Sequence, residues 1–236
     1  MEQVSEITVP IDFLPLPRSF FLHSPQQVAR GLIGQLLCRK TEDGVAVARI
    51  VETEAYLGSE DPAAHAYRGQ TARNAVLFGP AGFAYVYFIY GRYFCLNVSC
   101  EAEGKAGCVL FRAVEPLPEL ANGIAWLRSQ RSIAGGLPLE ALPPAFANGP
   151  SRLCQAFGIT RTEHNGLDLT CSDSGLWLAK GPGLQPGEHI AKGPRIGIRN
   201  NADALLRFFL QGHPHVSSPR SKTTLTTSPN LPRARR

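Results

Sequence analysis

The chain has 236 residues, of which 44% are apolar and 18% charged, with 24 Lys and Arg against 19 Asp and Glu for a net charge of +5. Low charge with that apolar content excludes a wholly disordered chain, and the length suits one large domain or two small ones. No apolar stretch reaches the ~18 residues of a membrane span. The six cysteines form no CxxC pair or zinc spacing, which favours buried free thiols in a reducing compartment.

Residues 1–16 have neither an apolar period nor a signal-peptide core and read as a loose N-terminal arm. Ser24-Pro25 supplies an N-cap hydroxyl followed by proline at the first helical position, and Val28, Leu32 and Leu36 continue as one stripe, which predicts a helix ending near Leu37. From Gly44 to Tyr56 the pattern alternates as a strand, with Val45, Val47 and Val51 on one face and Ile50, Glu52, Glu54 and Tyr56 on the other. Residues 57–82 are rich in Gly, Pro, Asp and Arg; loops of that length inside compact domains are usually functional. Two aromatic, β-branched runs, 83–89 and 93–100, joined by Tyr90-Gly91-Arg92, predict a hairpin, and 108–114 predicts a third strand before Glu115-Pro116. A helix is expected over 118–130 (Leu120, Ile124, Leu127), then a loop at 134–148. A second helix should open at Pro150, place Leu153, Ala156 and Phe157 on one face and stop at Gly158, with short strands at 195–199 and 206–210 closing the domain. Residues 217–236 are Ser, Thr, Pro and basic, the composition of a disordered tail.

All six tyrosines (Tyr56, Tyr67, Tyr85, Tyr87, Tyr90, Tyr93) fall within 38 residues. A flat ring with a polar tip suits a nucleobase, although aromatics also pack on pleated strands for purely structural reasons. Tyr90 at a hairpin turn has little core to enter and is a candidate wedge or a folded-back cap. Glu54, beside Ile50, Val51 and Ala55, is either a partly buried general base or a solvated strand-end acid. Glu52 shares its predicted face, but two carboxylates at i, i+2 flank the same side of a substrate, a weak arrangement for paired acid–base work. Arg112 interrupts an apolar run and wants a carboxylate partner, with Glu54 one option and a structural ion pair the other. Asn97 is unfavourable in a strand unless its amide is used. His65 lies in the long loop, where histidines are commonly just solvated, and the His213/His215 pair gives no convincing metal pattern.

The order Ile50-Val51-Glu52-Thr53-Glu54-Ala55-Tyr56, His65, Gln70-Thr71-Ala72-Arg73-Asn74, Tyr85-Val86-Tyr87-Phe88-Ile89-Tyr90-Gly91, Asn97, Leu110-Phe111-Arg112-Ala113-Val114-Glu115-Pro116 and Gly149-Pro150-Ser151-Arg152 closely resembles the alkyladenine (3-methyladenine) DNA glycosylase family, and the likeness runs on into Arg195-Ile196-Gly197 and Leu206-Arg207-Phe208. It spans roughly 17–216, which defines a single glycosylase domain between the arm (1–16) and the tail (217–236). The resemblance implies an α+β fold: a single mixed domain with a curved antiparallel β-sheet, a protruding β-hairpin and surrounding helices. It implies removal of alkylated or deaminated purines from double-stranded DNA by a monomer that uses no metal or cofactor and leaves an abasic site. Glu54 then matches the general base and Arg112 its partner, with the Ile196 main-chain carbonyl helping to hold the attacking water. Tyr56, His65, Tyr87 and Asn97 match the base pocket, Asn97 crowding the 2-amino group of a normal guanine, and Tyr90 the residue that fills the flipped nucleotide's gap. Three departures from the family pattern, Leu77, Ala81 and Arg92, are expected to flank the DNA-facing surface.

Two other classes fit parts of the pattern: a nucleic-acid-binding module without cleavage, which has no use for Glu54, and a nucleoside hydrolase, which has no use for Tyr90. The tail carries Arg220, Lys222, Arg233, Arg235 and Arg236, so residues 1–216 hold 19 basic and 19 acidic residues and have no net charge. DNA contacts in the body must then come from local clustering, with Arg68, Thr71, Arg73 and Arg92 as backbone candidates and Arg152 a further possibility. A membrane is not an expected partner; the expected location is cytoplasmic, with the nucleoid in a bacterium, or nuclear in a eukaryote.

Overall fold

Alternating apolar residues in long central segments build one eight-stranded antiparallel sheet, seen in a computed structural model whose described residues are 13–117, 123–131 and 142–217. In chain order these residues form α1 (Pro25–Leu32), β1 (Leu36–Thr41), β2 (Gly44–Tyr56), β3 (Ala84–Ile89), β4 (Tyr93–Cys100), β5 (Gly107–Pro116), α2 (Ile124–Gln130), α3 (Pro150–Ala156), α4 (Arg161–His164), β6 (Leu176–Ala179), β7 (Ile190–Gly193) and β8 (Arg207–Leu210). The strands run in the order β3-β4-β5-β2-β1-β6. β1 covers the first half of β2, β8 takes over along its second half, and β7 pairs with β8. This is the expected α+β domain with its hairpin.

One face of the sheet packs on α1 and α3: Val28, Ala29 and Leu32, with Leu153, Cys154 and Phe157, meet Ala55, Val86, Leu96, Val98, Val109 and Phe111. The opposite face of β3, β4 and β5 carries Tyr85, Tyr87, Asn97 and Cys108. Period-two alternation therefore sends one set of side chains to the core and leaves the other set to build a pocket.

β2 does not keep the predicted parity. Its pairing with β5 slips between Ile50 and Thr53. Before the slip Ala46, Ala48 and Ile50 face the main core, while Val45 and Val47 face the other side; after it Val51 and Ala55 enter the main core. Such a bulge adds one residue on one strand and re-aims the side chains beyond it. Thr53 points to α1, where its hydroxyl donates to the Ala29 carbonyl at 2.9 Å. Ile50 thus lies on the core side, not with the acids, and Glu52, Glu54 and Tyr56 are delivered to the pocket side.

Other expectations needed correction. α1 stops at Leu32, because Gly34 at φ 86 sits against the Gly183 backbone where a Cβ would clash; Leu36 and Leu37 begin a strand instead of extending the apolar stripe. Phe13 and Leu16, placed in a loose arm by the sequence, are buried, and Phe13 accepts a hydrogen bond from the Trp177 indole at 2.8 Å. The strand expected at 195–199 is irregular, and β7 lies just before it. Ser217, assigned to the tail, is buried. The helix expected from 118 is present from Ile124; Leu120, residues 134–141 and residues 218–236 lie outside the described residues. The long 57–82 segment is irregular as expected, with short turns of helix at Gly58–Glu60 and Ala75–Phe78.

Candidate active site

Glu54 is fully buried, yet three donors reach its carboxylate. Arg112, two residues along β5 from the cross-strand partner of Glu54, brings Nη1 to 3.1 Å of Oε1. The Ile196 N–H donates to Oε1 at 2.7 Å, and the Tyr56 hydroxyl donates to Oε2 at 2.9 Å. Burial pushes the Glu54 carboxyl above its ordinary pKa, and Arg112, Ile196 and Tyr56 offset that only in part, with Glu52 adding to the rise. A carboxylate so held is desolvated, oriented and more basic than a surface glutamate, the properties of a general base. The contact from Ile196 to Glu54 runs through its N–H; the role that the resemblance implies for its carbonyl, holding the attacking water, is a separate one.

A second carboxylate system fixes Ile196. Arg195 donates to Asp61 at 2.5 and 2.9 Å and to the Ala55 carbonyl at 3.0 Å, and its guanidinium lies 4.5 Å from the Tyr56 ring centroid. Burial disfavours the Asp61 charge, but Arg195 and the Ala63 and Leu57 N–H groups outweigh it and hold that carboxyl below its usual range. Anchored on both sides, the chain at Arg195 cannot extend into a strand and instead presents the next N–H to Glu54. Burial and the Glu54 carboxylate push the Tyr56 phenol well up, so it stays a donor.

Next to this carboxylate lies a cavity of about 120 Å³ lined by Tyr56, Ala63, His65, Tyr85, Tyr87, Asn97, Cys108 and Ile198. All four predicted pocket residues meet there. His65 and Tyr87 stand edge to face with centroids 4.5 Å apart, and Tyr85 stacks on Tyr87 at 5.6 Å. His65 Nδ1 is 2.9 Å from the Tyr85 hydroxyl. The Tyr85 hydroxyl and the imidazole therefore share one hydrogen bond on the pocket wall. Burial among the rings and the nearby Arg73 charge both lower the His65 pKa, which keeps it neutral. The Asn97 amide donates to the Tyr85 carbonyl at 3.1 Å, so its place in the strand is accounted for.

Tyr90 stands at the tip of the β3–β4 hairpin with 85% of its surface exposed. Tyr90 and Gly91 have φ of 50° and 68°, and the Arg92 N–H returns to the Ile89 carbonyl at 3.2 Å, the arrangement of a primed turn. A non-glycine residue in that region carries strain and has no core contact to compensate it, which points to a use outside the fold. Arg92 is exposed beside it, its guanidinium 5.7 Å from the Tyr93 ring centroid. Arg68 and Arg73 are exposed on the long loop, and Arg152 is exposed with a 2.6 Å bond to Asn148. Thr71 is spent on the loop itself: its N–H and hydroxyl reach Asn74 Oδ1 at 2.6 and 3.0 Å, while Asn74 Nδ2 braces the His65 carbonyl at 2.9 Å. Leu77 and Ala81, expected near DNA, are buried instead: Leu77 packs under the pocket with Tyr85, and Ala81 joins the main core.

The family model for methylpurine-DNA glycosylase (MPG) matches residues 19–214. The chain belongs to the methylpurine-DNA glycosylase family. A Koribacter versatilis relative, provisionally named a 3-methyladenine DNA glycosylase, is 46% identical over 206 residues, 87% of this chain and 94% of its own. Relatives with the same provisional name in Methanoculleus marisnigri (44% over 207 residues, 86% and 99% of the two chains) and Streptomyces avermitilis (39% over 214 residues, 90% and 95%) match as fully. The protein is thus a monofunctional DNA glycosylase, a hydrolase of base-excision repair. Among the described residues of this glycosylase no helix is long and apolar enough to cross a membrane.

The sequence singles out Glu54 and Arg112, which the fold brings together, and Tyr56, His65, Tyr87 and Asn97, which line the cavity, but not Tyr85 or Ile198 as lining, Asp61 and Arg195 as a brace, or Glu52 as a structural acid. Glu52 shares Oε1 among Arg112 Nε (2.9 Å), Arg207 Nε (2.6 Å) and the Ser217 hydroxyl (2.9 Å). Strand alternation puts two acids on one face, but only the fold shows that one is saturated by arginines and the other is joined to the cavity through Tyr56.

Proposed function

We propose that this glycosylase flips alkylated and deaminated purines of the 3-methyladenine, 7-methylguanine, hypoxanthine and ethenoadenine class out of double-stranded DNA and hydrolyses the N-glycosidic bond with a water activated by Glu54. The observation that carries the reading is a desolvated, triply hydrogen-bonded carboxylate joined through Tyr56 to an aromatic cavity. A base inside the stack is out of reach, and flipping costs a few kcal/mol, least for damaged pairs. Tyr90 fills the gap left in the stack, and Arg92, Arg68 and Arg73 neutralise phosphate.

In the pocket an N-methylated purine is cationic and stacks on the electron-rich faces of Tyr56 and Tyr87. Water adds its oxygen to the sugar C1′ and passes a proton to Glu54 while the C1′–N bond breaks and the base leaves with the electron pair. Arg112, already tied to Glu52 and Glu54, stays cationic and fixes the carboxylate's direction. His65 offers a hydrogen bond to uncharged lesions, which leave less readily, and Asn97 crowds the 2-amino group of intact guanine. The protein works as a monomer on one lesion, and the five positive charges of the tail add sequence-independent affinity.

The test is product analysis with a duplex carrying a single hypoxanthine. Free base should appear, and strand breaks should form only after alkali, the mark of an abasic product. Tight lesion binding with no release would leave a binding module, and breaks without alkali would overturn hydrolysis by water.

A further inference from the structure

Arg112 has three guanidinium nitrogens, and each meets a different residue. Nε donates to Glu52 at 2.9 Å, Nη1 approaches Glu54 Oε1 at 3.1 Å, and Nη2 donates to the Ser217 hydroxyl at 3.1 Å. Ser217 in turn uses every polar group it owns. Its hydroxyl donates to Glu52 Oε1 at 2.9 Å, its N–H donates to Glu52 Oε2 at 2.7 Å, and its carbonyl accepts from Arg207 Nη2 at 3.0 Å. Glu52, Arg112, Arg207 and Ser217 are all buried. Resting on the glycosylase reading above, we propose that Ser217 is a positioning residue that locks the Arg112 guanidinium in the one rotation at which it meets Glu54.

Glu52 attracts Arg112 away from Glu54, since Oε1 of Glu52 accepts from Arg112 and Arg207 alike. Ser217 counters that pull in two ways. Its hydroxyl and N–H occupy lone pairs of Glu52, and its oxygen holds the far nitrogen of Arg112. Glu52 at Nε and Ser217 at Nη2 together set the plane in which Nη1 meets Glu54, and with Ser217 gone only the two competing carboxylates define it. Without the hydroxyl, Nη2 is left with an empty partner in a buried site, and the group relieves this by rotating toward Glu52, which loosens Glu54. The link spans 165 residues of sequence, so Ser217 reaches back to the middle of β2. Ser217 touches no substrate in this account; it acts through Arg112.

The experiment compares wild type, Ser217→Ala and Ser217→Thr under single-turnover conditions on a hypoxanthine duplex, alongside lesion-duplex binding and thermal melting. Ser217→Ala keeps the two main-chain bonds and should remain folded, with lesion binding unchanged and the excision rate down by about tenfold to 100-fold, the scale of a small misplacement of a reacting group. Ser217→Thr, which restores a hydroxyl, should regain most of the rate. Wild-type excision matched by Ser217→Ala would overturn the proposal, as would a loss that tracks melting alone and is not recovered by threonine. A wild type that releases no base would instead defeat the glycosylase mechanism itself, so the two failures are distinct.

Discussion

Replacing Tyr90 with alanine separates the stability of the hairpin from its use. The side chain is 85% exposed and makes no core contact, and alanine inherits the same left-handed φ of 50°. Folding should therefore change by no more than about 0.5 kcal/mol, the range of surface substitutions. Glycine at this position removes left-handed strain of about 1 kcal/mol and should melt no lower than the alanine variant. Binding behaves differently if the ring replaces a flipped nucleotide. Stacking of one aromatic on bases is worth ~1–3 kcal/mol, and tenfold in affinity is 1.4 kcal/mol, so Tyr90→Ala should weaken binding to a lesion duplex by roughly fivefold to 150-fold. Binding to undamaged duplex, which rests on phosphate contacts, should barely move. Fluorescence anisotropy with matched lesion and undamaged duplexes, beside melting curves, measures all three quantities. Equal lesion affinity for wild type and Tyr90→Ala would refute the wedge, and a matching loss on undamaged DNA would show a general contact instead.

The charges set two further outcomes. Burial lifts the Glu54 carboxyl above the ordinary glutamate value near 4.3, and the base works only when ionised, so excision should fall with acid through a midpoint above that value; a midpoint at or below it would contradict the burial argument. The same shift gives a sign for stability: the folded chain takes up this proton more readily than the unfolded one, so wild type should gain on Glu54→Gln in thermal melts as pH drops through the raised value. Arg92 is exposed beside Tyr90, and Arg92→Met should reduce the slope of log affinity against log salt by about one for the lost phosphate contact. An unchanged slope would remove Arg92 from the DNA interface.

Much of the centre of the fold is legible in the sequence because it is periodic. The Gly44–Tyr56 strand and the hairpin around Tyr90-Gly91 alternate or carry a turn signal, and both are present. What the sequence hides depends on distant partners. The bulge in β2 is set by its pairing with β5, so the strict alternation that put Ile50 beside Glu52 failed there. β1 was lost because Leu36 happens to continue the stripe of α1, and β6 and β7 have only four residues each, too few to show a period. Glu54 and Arg112 stood out as charges in apolar runs. Asp61 looked like one more loop acid, since its partner Arg195 is 134 residues away. Ser217 looked like tail because its composition is that of the residues after it, and only its bonds to Glu52 place it in the core.

The central claim is that Glu54 activates the water, and single-turnover excision of hypoxanthine from a duplex by Glu54→Gln tests it most directly. Glutamine keeps an acceptor for Ile196 and Arg112, so lesion binding and folding should persist while the excision rate falls by about 10²- to 10⁴-fold, the contribution of a positioned general base. Excision by Glu54→Gln at the wild-type rate would contradict the account.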